Sequence, residues 1–219
     1  LKKEGGFDMK VLGVVCSPRK GGNTEIMMSE ALVGAGSYGT ETELWTTAGK
    51  ELKPCDGCDT CRQKGGKCHI VDDMQELFPR VLAADGIIFG SPSYFGSVTA
   101  QAKMVIDRLY SLYNMYVLPN KVAGVISVGS SMGLEGVWTQ FSTFINHCHM
   151  LPADYASGFA RKKGDIRKDR FAMKSSEELG KQVVSLIKQQ FHYPDEYRRP
   201  LYRVCKEEYG IDSYPQGRF

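Results

Sequence analysis

The sequence predicts an α/β protein built on a five-stranded parallel β-sheet with helices on both faces. Short apolar, β-branched runs alternate with longer segments of helical periodicity, and short connections join them. This alternation implies right-handed βαβ crossovers. The chain of 219 residues is long enough to bury a large core, and its 42% of hydrophobic residues is ordinary for a globular domain.

The predicted strands are apolar runs bounded by turn residues. In chain order they are Lys10–Cys16, Glu41–Thr46, Asp85–Gly90, Val122–Val128 and Tyr155–Ala160. The first run, KVLGVVC, is apolar throughout, which is typical of a strand buried on both faces of a parallel sheet. The second run alternates only weakly, and the fifth is the weakest of the set.

The predicted helices carry apolar residues three to four positions apart, or begin at a capping residue. They are Glu25–Val33, a helix from Asp72 or Asp73 to Ala84, Val98–Tyr113, Val137–Cys148 and a last helix ending at Gln190. Pro79 predicts a kink or a late start in the second of these. Ser175, Ser176 and Glu178 resemble a capping box for the last helix.

Five strands with helices on both faces fit the flavodoxin-like strand order 2-1-3-4-5. In such sheets the ligand binds beyond the carboxyl ends of the strands, which selects the loops after strands one, three and four. We expect a ligand-binding domain over residues 9–190 with a cysteine loop, 54–69, inserted after strand two. Residues 191–219 are expected to form an extended aromatic arm that docks on its own or a neighbouring subunit, with a partly mobile terminus as the alternative.

Composition excludes several classes of function. A net charge of +3 is too small for a nucleic-acid-binding footprint, and no apolar run approaches the length of a membrane span. The segment Leu1–Lys10 has no apolar core like that of a signal peptide. We therefore expect a cytoplasmic protein with reduced cysteines.

Three loops carry residues suited to binding a ligand. Ser17–Thr24 is polar and glycine-rich between a strand and a helix, where unpaired N–H groups and the helix dipole suit a phosphate monoester. An ordinary βα turn is the alternative. Gly90–Ser97 holds two aromatic residues and three hydroxyls, which could contact a flat ring and its polar edge. A turn whose aromatic residues fill the core is the alternative. Glycines in Gly129–Gly136 permit close backbone approach to a ligand.

Four cysteines lie within fourteen residues: Cys55, Cys58, Cys61 and Cys68. Three thiolates at consecutive two-residue gaps, followed by a fourth, wrap closely around one small object. Compact runs of four cysteines hold iron–sulfur clusters, which favours a [4Fe-4S] cluster. A structural zinc site usually separates two cysteine pairs by a longer gap, so zinc and free thiols are the lesser alternatives.

The segments CSPRKGGNT, GSPSYFGSVTAQAKMVIDR and GSSMGLEG resemble the NAD(P)H-dependent FMN reductases of the flavodoxin-like superfamily, roughly from Met9 to Gln190. With the cysteine motif added, the chain resembles the iron–sulfur flavoproteins of that group. The resemblance implies FMN and a [4Fe-4S] cluster as cofactors. The implied FMN contacts are Ser17, Arg19, Asn23 and Thr24 for the phosphate, Pro92, Ser93, Tyr94, Phe95 and Gly96 for the ring and ribityl chain, and Ser130 and Gly133.

The same resemblance implies electron transfer from a donor such as ferredoxin, through the cluster, to FMN and on to dioxygen, hydrogen peroxide or a quinone-like compound. It also implies a homodimer or homotetramer in which a cluster faces the flavin of a neighbouring subunit. No side chain stands out as a general acid or nucleophile, so we expect no catalytic residue. An NAD(P)H-dependent FMN or quinone reductase without a functional cluster, and a non-enzymatic flavin sensor or shuttle, are the alternatives.

Overall fold

The computed structural model describes residues 9–211, and its five strands form one parallel sheet. The strands are β1 (Lys10–Val15), β2 (Glu41–Thr46), β3 (Gly86–Pro92), β4 (Val122–Gly129) and β5 (Leu151–Phe159). Their order is β2-β1-β3-β4-β5, and every neighbouring pair is parallel. The flavodoxin-like fold predicted from the sequence is therefore confirmed.

Two hydrophobic cores lie on opposite faces of the sheet. The helices are α1 (Asn23–Gly36), α2 (Thr60–Gln63), α3 (Met74–Ala83), α4 (Ala100–Arg108), α5 (Tyr110–Tyr113), α6 (Leu134–His147), α7 (Arg170–Lys188) and α8 (Leu201–Tyr209). One core joins the sheet to α3, α4 and α6, and the other joins it to α1 and α7. Along β1, Leu12 and Val14 enter the first core while Val11 and Val15 enter the second, as strand alternation requires.

Helix α7 begins five residues earlier than the predicted capping box. The Asp169 side chain caps it by accepting a hydrogen bond from the Ala172 N–H, at 2.9 Å. The Ser175 and Ser176 hydroxyls instead donate to the Ala172 carbonyl inside the helix. The capping-box prediction was wrong because an aspartate upstream supplies the same hydrogen bond.

Other element boundaries also differ from the predictions. Helix α3 starts at Met74 and accommodates Pro79 within it. The single helix predicted over Val98–Tyr113 is divided at Leu109 into α4 and α5. Helix α6 starts at Leu134 because Gly133, with φ of +82°, turns the chain directly into it.

The described part of the C-terminal arm is partly helical and not extended throughout. It holds a 3₁₀ turn over Asp195–Tyr197 and then α8, which Gly210 ends in the left-handed conformation. The segment packs on its own chain: the Tyr193 N–H donates to Asn120 Oδ1, and Val204 is buried. The predicted division of the chain at residue 190 remains a prediction.

Candidate functional site

Hydrogen bonds tie together the carboxyl ends of the central strands. The Cys16 N–H donates to the Gly90 carbonyl at 2.7 Å, and the buried Thr99 hydroxyl donates to the Cys16 carbonyl at 2.8 Å. The Thr47 hydroxyl donates to the Ser17 carbonyl at 3.2 Å. The starts of the candidate loops after β1 and β3 are therefore held in a fixed relation.

The loop after β1 presents backbone N–H groups at the start of a long helix. Ser17 and Thr24 are buried, and no side chain caps α1 at Gly22. Gly21 has a φ of +62°, and its N–H donates to the Glu25 carboxylate at 2.8 Å. A carboxylate oxygen thus already accepts a hydrogen bond from a backbone N–H of this loop. A phosphate oxygen is the same kind of acceptor.

The segment after β5 covers the loop after β1. The Asn23 amide donates to the Lys162 carbonyl at 2.9 Å and accepts from the Gly164 N–H at 2.8 Å. The Lys163 ammonium donates to the Lys20 carbonyl at 2.9 Å. Sequence reasoning did not assign Lys163 to this loop; the basic run 161–170 was its only signal, and most charge runs are simply solvated.

The family resemblance implies that this loop holds the FMN phosphate. On that basis we expect the Lys163→Gln variant to bind FMN about fivefold more weakly, because an exposed cation contributes modestly to binding a phosphate. The loss should shrink at high salt, since exposed charges are screened. Titration of the flavin-free protein with FMN at two ionic strengths measures both effects. Lys168→Gln is the matched control, as its side chain is 83% exposed and pairs with Asp165. Equal affinities for the two variants would contradict the assignment.

The loop after β3 forms a tight hairpin that projects an aromatic ring. Tyr94 and Ser97 exchange backbone hydrogen bonds across it, and its tip residues, Phe95 and Gly96, have φ of +50° and +74°. A left-handed phenylalanine is a strained conformation that recurs at ligand-binding sites. The Phe95 side chain is fully exposed, so its ring is free to contact a flat ligand.

The loop after β4 touches this hairpin. The Ser93 hydroxyl donates to the Gly133 carbonyl at 2.7 Å. A Cβ atom added to Gly136 would lie only 1.7 Å from the Gly96 carbonyl oxygen. Of the other candidate contacts, Ser130 is exposed and Pro92 is half-buried. The structure therefore brings the second and third candidate loops into direct contact.

All seven cysteines are unpaired: two lie in the core, four lie in the cysteine loop, and Cys205 is exposed on α8. Cys16 and Cys148 lie in the core, where burial raises the pKa of the Cys16 thiol strongly and that of Cys148 to about 12. Such thiols behave as small hydrophobic side chains. The four cysteines of the loop are exposed or half-buried, as is required of thiols that bind a group from solution.

Left-handed residues let the cysteine loop turn back on itself. They are Gly57, Asp59, Gly65 and Gly66. The loop contains the single helical turn α2, and the Gly66 N–H donates to the Cys61 carbonyl at 2.8 Å. Burial raises the pKa of the Cys61 thiol, and the nearby Cys68 adds to the shift.

Cys58 lies in a different cluster of donors. Its sulfur, an Asp56 carboxylate oxygen and a His69 ring nitrogen all lie within 4.8 Å of one another. His69 Nε2 is 2.7 Å from Asp56 Oδ2. Among the described residues, no three of the cysteine sulfurs lie within 4.8 Å of one another, a feature that the spacing alone did not predict.

The donor set of the loop fits an iron–sulfur cluster by number and kind. Four accessible, unpaired thiols lie in one loop, and a [4Fe-4S] cluster takes four cysteine thiolates. Four cysteines can also hold a structural zinc ion. Among residues 9–211, the one group of three or more donors within 4.8 Å of one another is Asp56, Cys58 and His69.

A buried ion pair closes the stem of the cysteine loop. Asp72 Oδ2 lies 2.6 Å from Arg108 Nη1, and the two side chains are 1% and 0% exposed. The Asp72 carboxylate also accepts from the backbone N–H groups of Lys53 and Met74. Burial alone would raise the pKa of Asp72, but these partners outweigh it and hold that pKa below its usual value.

This ion pair predicts a specific acid sensitivity. The folded-state pKa of Asp72 is depressed. The stability that the ionised carboxylate contributes to the fold is therefore fully present above the pKa of an unfolded aspartate, about 3.9. It declines below that pH and is lost as the pH falls through the folded-state pKa. We expect Asp72→Asn to lower the free energy of unfolding by about 3 kcal/mol near neutral pH, with the difference shrinking in acid. Urea unfolding between pH 3 and 7 measures it, and a difference independent of pH would contradict it.

Comparison with known proteins identifies the class of protein. A family model described as NADPH-dependent FMN reductase matches residues 9–162. The chain therefore belongs to the NADPH-dependent FMN reductase family and is an FMN-dependent oxidoreductase.

Curated relatives narrow this class to the iron–sulfur flavoproteins. The chain is 40% identical over 190 residues to an iron–sulfur flavoprotein of Methanocaldococcus jannaschii, covering 82% of this chain and 98% of that one. It is 33% identical over 184 residues to one of Archaeoglobus fulgidus, covering 84% and 82%. These matches confirm the resemblance drawn from the sequence.

Solved structures share the fold. RosB, with the bound intermediate 8-demethyl-8-formylriboflavin-5′-phosphate, superposes with a TM-score of 0.72 at 19% identity, covering 96% of this chain and 91% of that one. A WrbA-like flavodoxin from Agrobacterium tumefaciens superposes with a TM-score of 0.59 at 15% identity, covering 84% and 99%. Within residues 9–211, no helix has both the length and the apolar character to cross a membrane.

Proposed function

We propose that this chain carries electrons from a one-electron donor such as ferredoxin, through a [4Fe-4S] cluster, to FMN and then to a small acceptor. Dioxygen, hydrogen peroxide and quinone-like compounds are the acceptor classes. The observation that carries the proposal is the set of four accessible, unpaired thiols at Cys55, Cys58, Cys61 and Cys68. Relatives named iron–sulfur flavoproteins support it, and unpaired thiols suit a reducing cytoplasm.

We assign FMN to the three loops at the carboxyl edge of the sheet. Ser17, Thr24 and the uncapped start of α1 would hold the phosphate, with Arg19 exposed beside them. Asn23 would fix the loop through its hydrogen bonds to the segment after β5. The remaining assigned contacts lie on the two touching loops: Pro92, Ser93, Tyr94, Phe95, Gly96, Ser130 and Gly133.

The two cofactors supply complementary redox chemistry when bound, since a cluster exchanges single electrons and FMN exchanges one or two. The chain sets their separation and surroundings, which tune the potentials. Exposed Arg62, Lys64 and Lys67 flank the cysteines and would attract an acidic donor protein. We also propose a homodimer or homotetramer, because the exposed Cys55 and Cys58 leave their part of the loop open to a second copy.

Anaerobic purification with counts of iron, sulfide and FMN tests this function. We expect about four irons and four sulfides with one FMN per chain, as a cubane requires. Less than about one iron per chain after reconstitution would defeat the cluster. Turnover with a small acceptor faster than that of free FMN would exclude a mere shuttle.

A second candidate function is direct reduction of FMN by NAD(P)H without a functional cluster. The family match over residues 9–162 favours it, because the members of that family are described as NADPH-dependent. Rapid anaerobic bleaching of the bound flavin by NADPH would support this candidate. No bleaching by NADPH, together with ready reduction by ferredoxin, would reject it.

A further inference from the structure

The buried guanidinium of Arg108 contacts both ends of the cysteine loop. Arg108 Nη1 donates to the Lys53 carbonyl at 2.9 Å, just before the loop. Nη2 donates to the Ile70 carbonyl at 3.1 Å, just after it. The same two nitrogens also bind the two oxygens of Asp72. One side chain from the rigid helix α4 therefore joins the two ends of the loop.

One N–H group of the Arg108 guanidinium makes no hydrogen bond within the described residues. Within the described residues, its Nε is buried and has no hydrogen-bond partner. A buried N–H without an acceptor is destabilising, so such groups call for an explanation. The other nitrogens of the guanidinium are already engaged, which leaves Nε as the donor available to a further acceptor.

Cys68 is the cysteine of the loop that lies beside the contacts of this guanidinium. It comes two residues before Ile70, whose carbonyl accepts from Arg108 Nη2 at 3.1 Å. Cys68 is also the ligand separated from the other three by a longer stretch of chain. Its position depends on the stem, since it lies two residues before Ile70.

We propose that Arg108 is a positioning residue for the cysteine site, closing the stem of the loop and donating its free Nε–H to the sulfur of Cys68 as a thiolate ligand. This inference rests on the proposed function. The planar fork of arginine can hold two carbonyls and a carboxylate at once, whereas a lysine ammonium cannot. Groups that bond to a ligand in this way orient it and tune the bound metal.

The stem can be tested in the full-length chain before any cluster is loaded. We expect Arg108→Lys and Arg108→Gln to keep the fold and FMN binding, since the hydrogen-bond partners of Arg108 lie at the stem and none lies in a flavin loop. Hydrogen exchange of the Lys53 and Met74 amides should quicken about tenfold or more, because opening of the stem exposes them. Lys103→Gln, on the same helix with an exposed pair to Asp107, is the matched control.

The loaded protein tests the contact with Cys68. Loss of a group that supports a metal ligand typically weakens binding 10–100-fold, so we expect iron transfer to a chelator to quicken about tenfold in both variants. The cluster midpoint potential should fall in Arg108→Gln, which lacks the cation, and stay nearer wild type in Arg108→Lys. A merely structural stem would leave the midpoint potential unchanged.

Wild-type iron release and potential in both variants would overturn the proposal, even if the stem amides exchange faster. Wild-type amide exchange in both would overturn it as well. Should the wild-type chain itself take up no iron and sulfide, the proposed function fails and the thiolate contact fails with it. The amide exchange would then show separately whether Arg108 closes the stem.

Discussion

Replacing Cys68 with alanine should strip the chain of iron and leave its FMN in place. A cubane needs four thiolates, and Cys68 is one of the two half-buried cysteines of the loop. We expect iron to fall from about four per chain to below about one after anaerobic reconstitution. FMN should stay at wild-type stoichiometry, because Cys68 lies outside the three flavin loops. Iron and sulfide assays with flavin absorbance measure all three.

The matched control is Cys205→Ala, which removes an exposed, unpaired thiol on α8. It should retain both cofactors in full. Full iron retention by Cys68→Ala would contradict the assigned ligand set. Loss of iron by Cys205→Ala to the same extent would show that the assay reports general damage.

Alanine in place of Gly136 should separate the two loops that we assign to the flavin ring. Its Cβ would lie 1.7 Å from the Gly96 carbonyl oxygen, a rigid backbone atom. Relief of that overlap must move the hairpin or the start of α6, and overpacking of this kind costs about 1–3 kcal/mol. We expect at least about tenfold weaker FMN binding, since 1.4 kcal/mol corresponds to a factor of ten. Flavin titration and thermal unfolding measure the two effects.

Gly36→Ala is the control for this variant. Its Cβ would lie 3.9 Å from Thr42 Cγ2, an ordinary contact, and alanine favours a helix over glycine by about 1 kcal/mol. It should therefore be as stable as wild type or more so, with unchanged FMN binding. If Gly136→Ala binds FMN as tightly as Gly36→Ala does, the loops after β3 and β4 do not contact the flavin ring.

The sequence predicted the fold well where signals are local. Each strand buried on both faces is an apolar run, and the order of the sheet followed from the alternation of strands with helices. Helix starts were less predictable, since Asp169 and Gly133 each began a helix earlier than the apolar pattern indicated. The helical part of the arm was missed because a nine-residue helix gives little periodicity.

The candidate site was predictable as loops and not as contacts. Strand topology brings the three loops to one edge of the sheet. The close spacing of the four cysteines indicates by itself a site that binds a metal or a cluster. The Asp72–Arg108 pair joins residues 36 positions apart, and Lys163 reaches Lys20 across 143. The cluster of Asp56, Cys58 and His69 depends on how one loop turns. No local pattern encodes such contacts.

Anaerobic reduction of the reconstituted protein by reduced ferredoxin tests the central claim most directly. The flavin absorbance of the wild-type chain should bleach rapidly, and that of Cys68→Ala, with its FMN still bound, should bleach far more slowly. Such a difference would mean that electrons reach FMN by way of the cysteine loop. Equal bleaching rates in the two proteins would contradict that route.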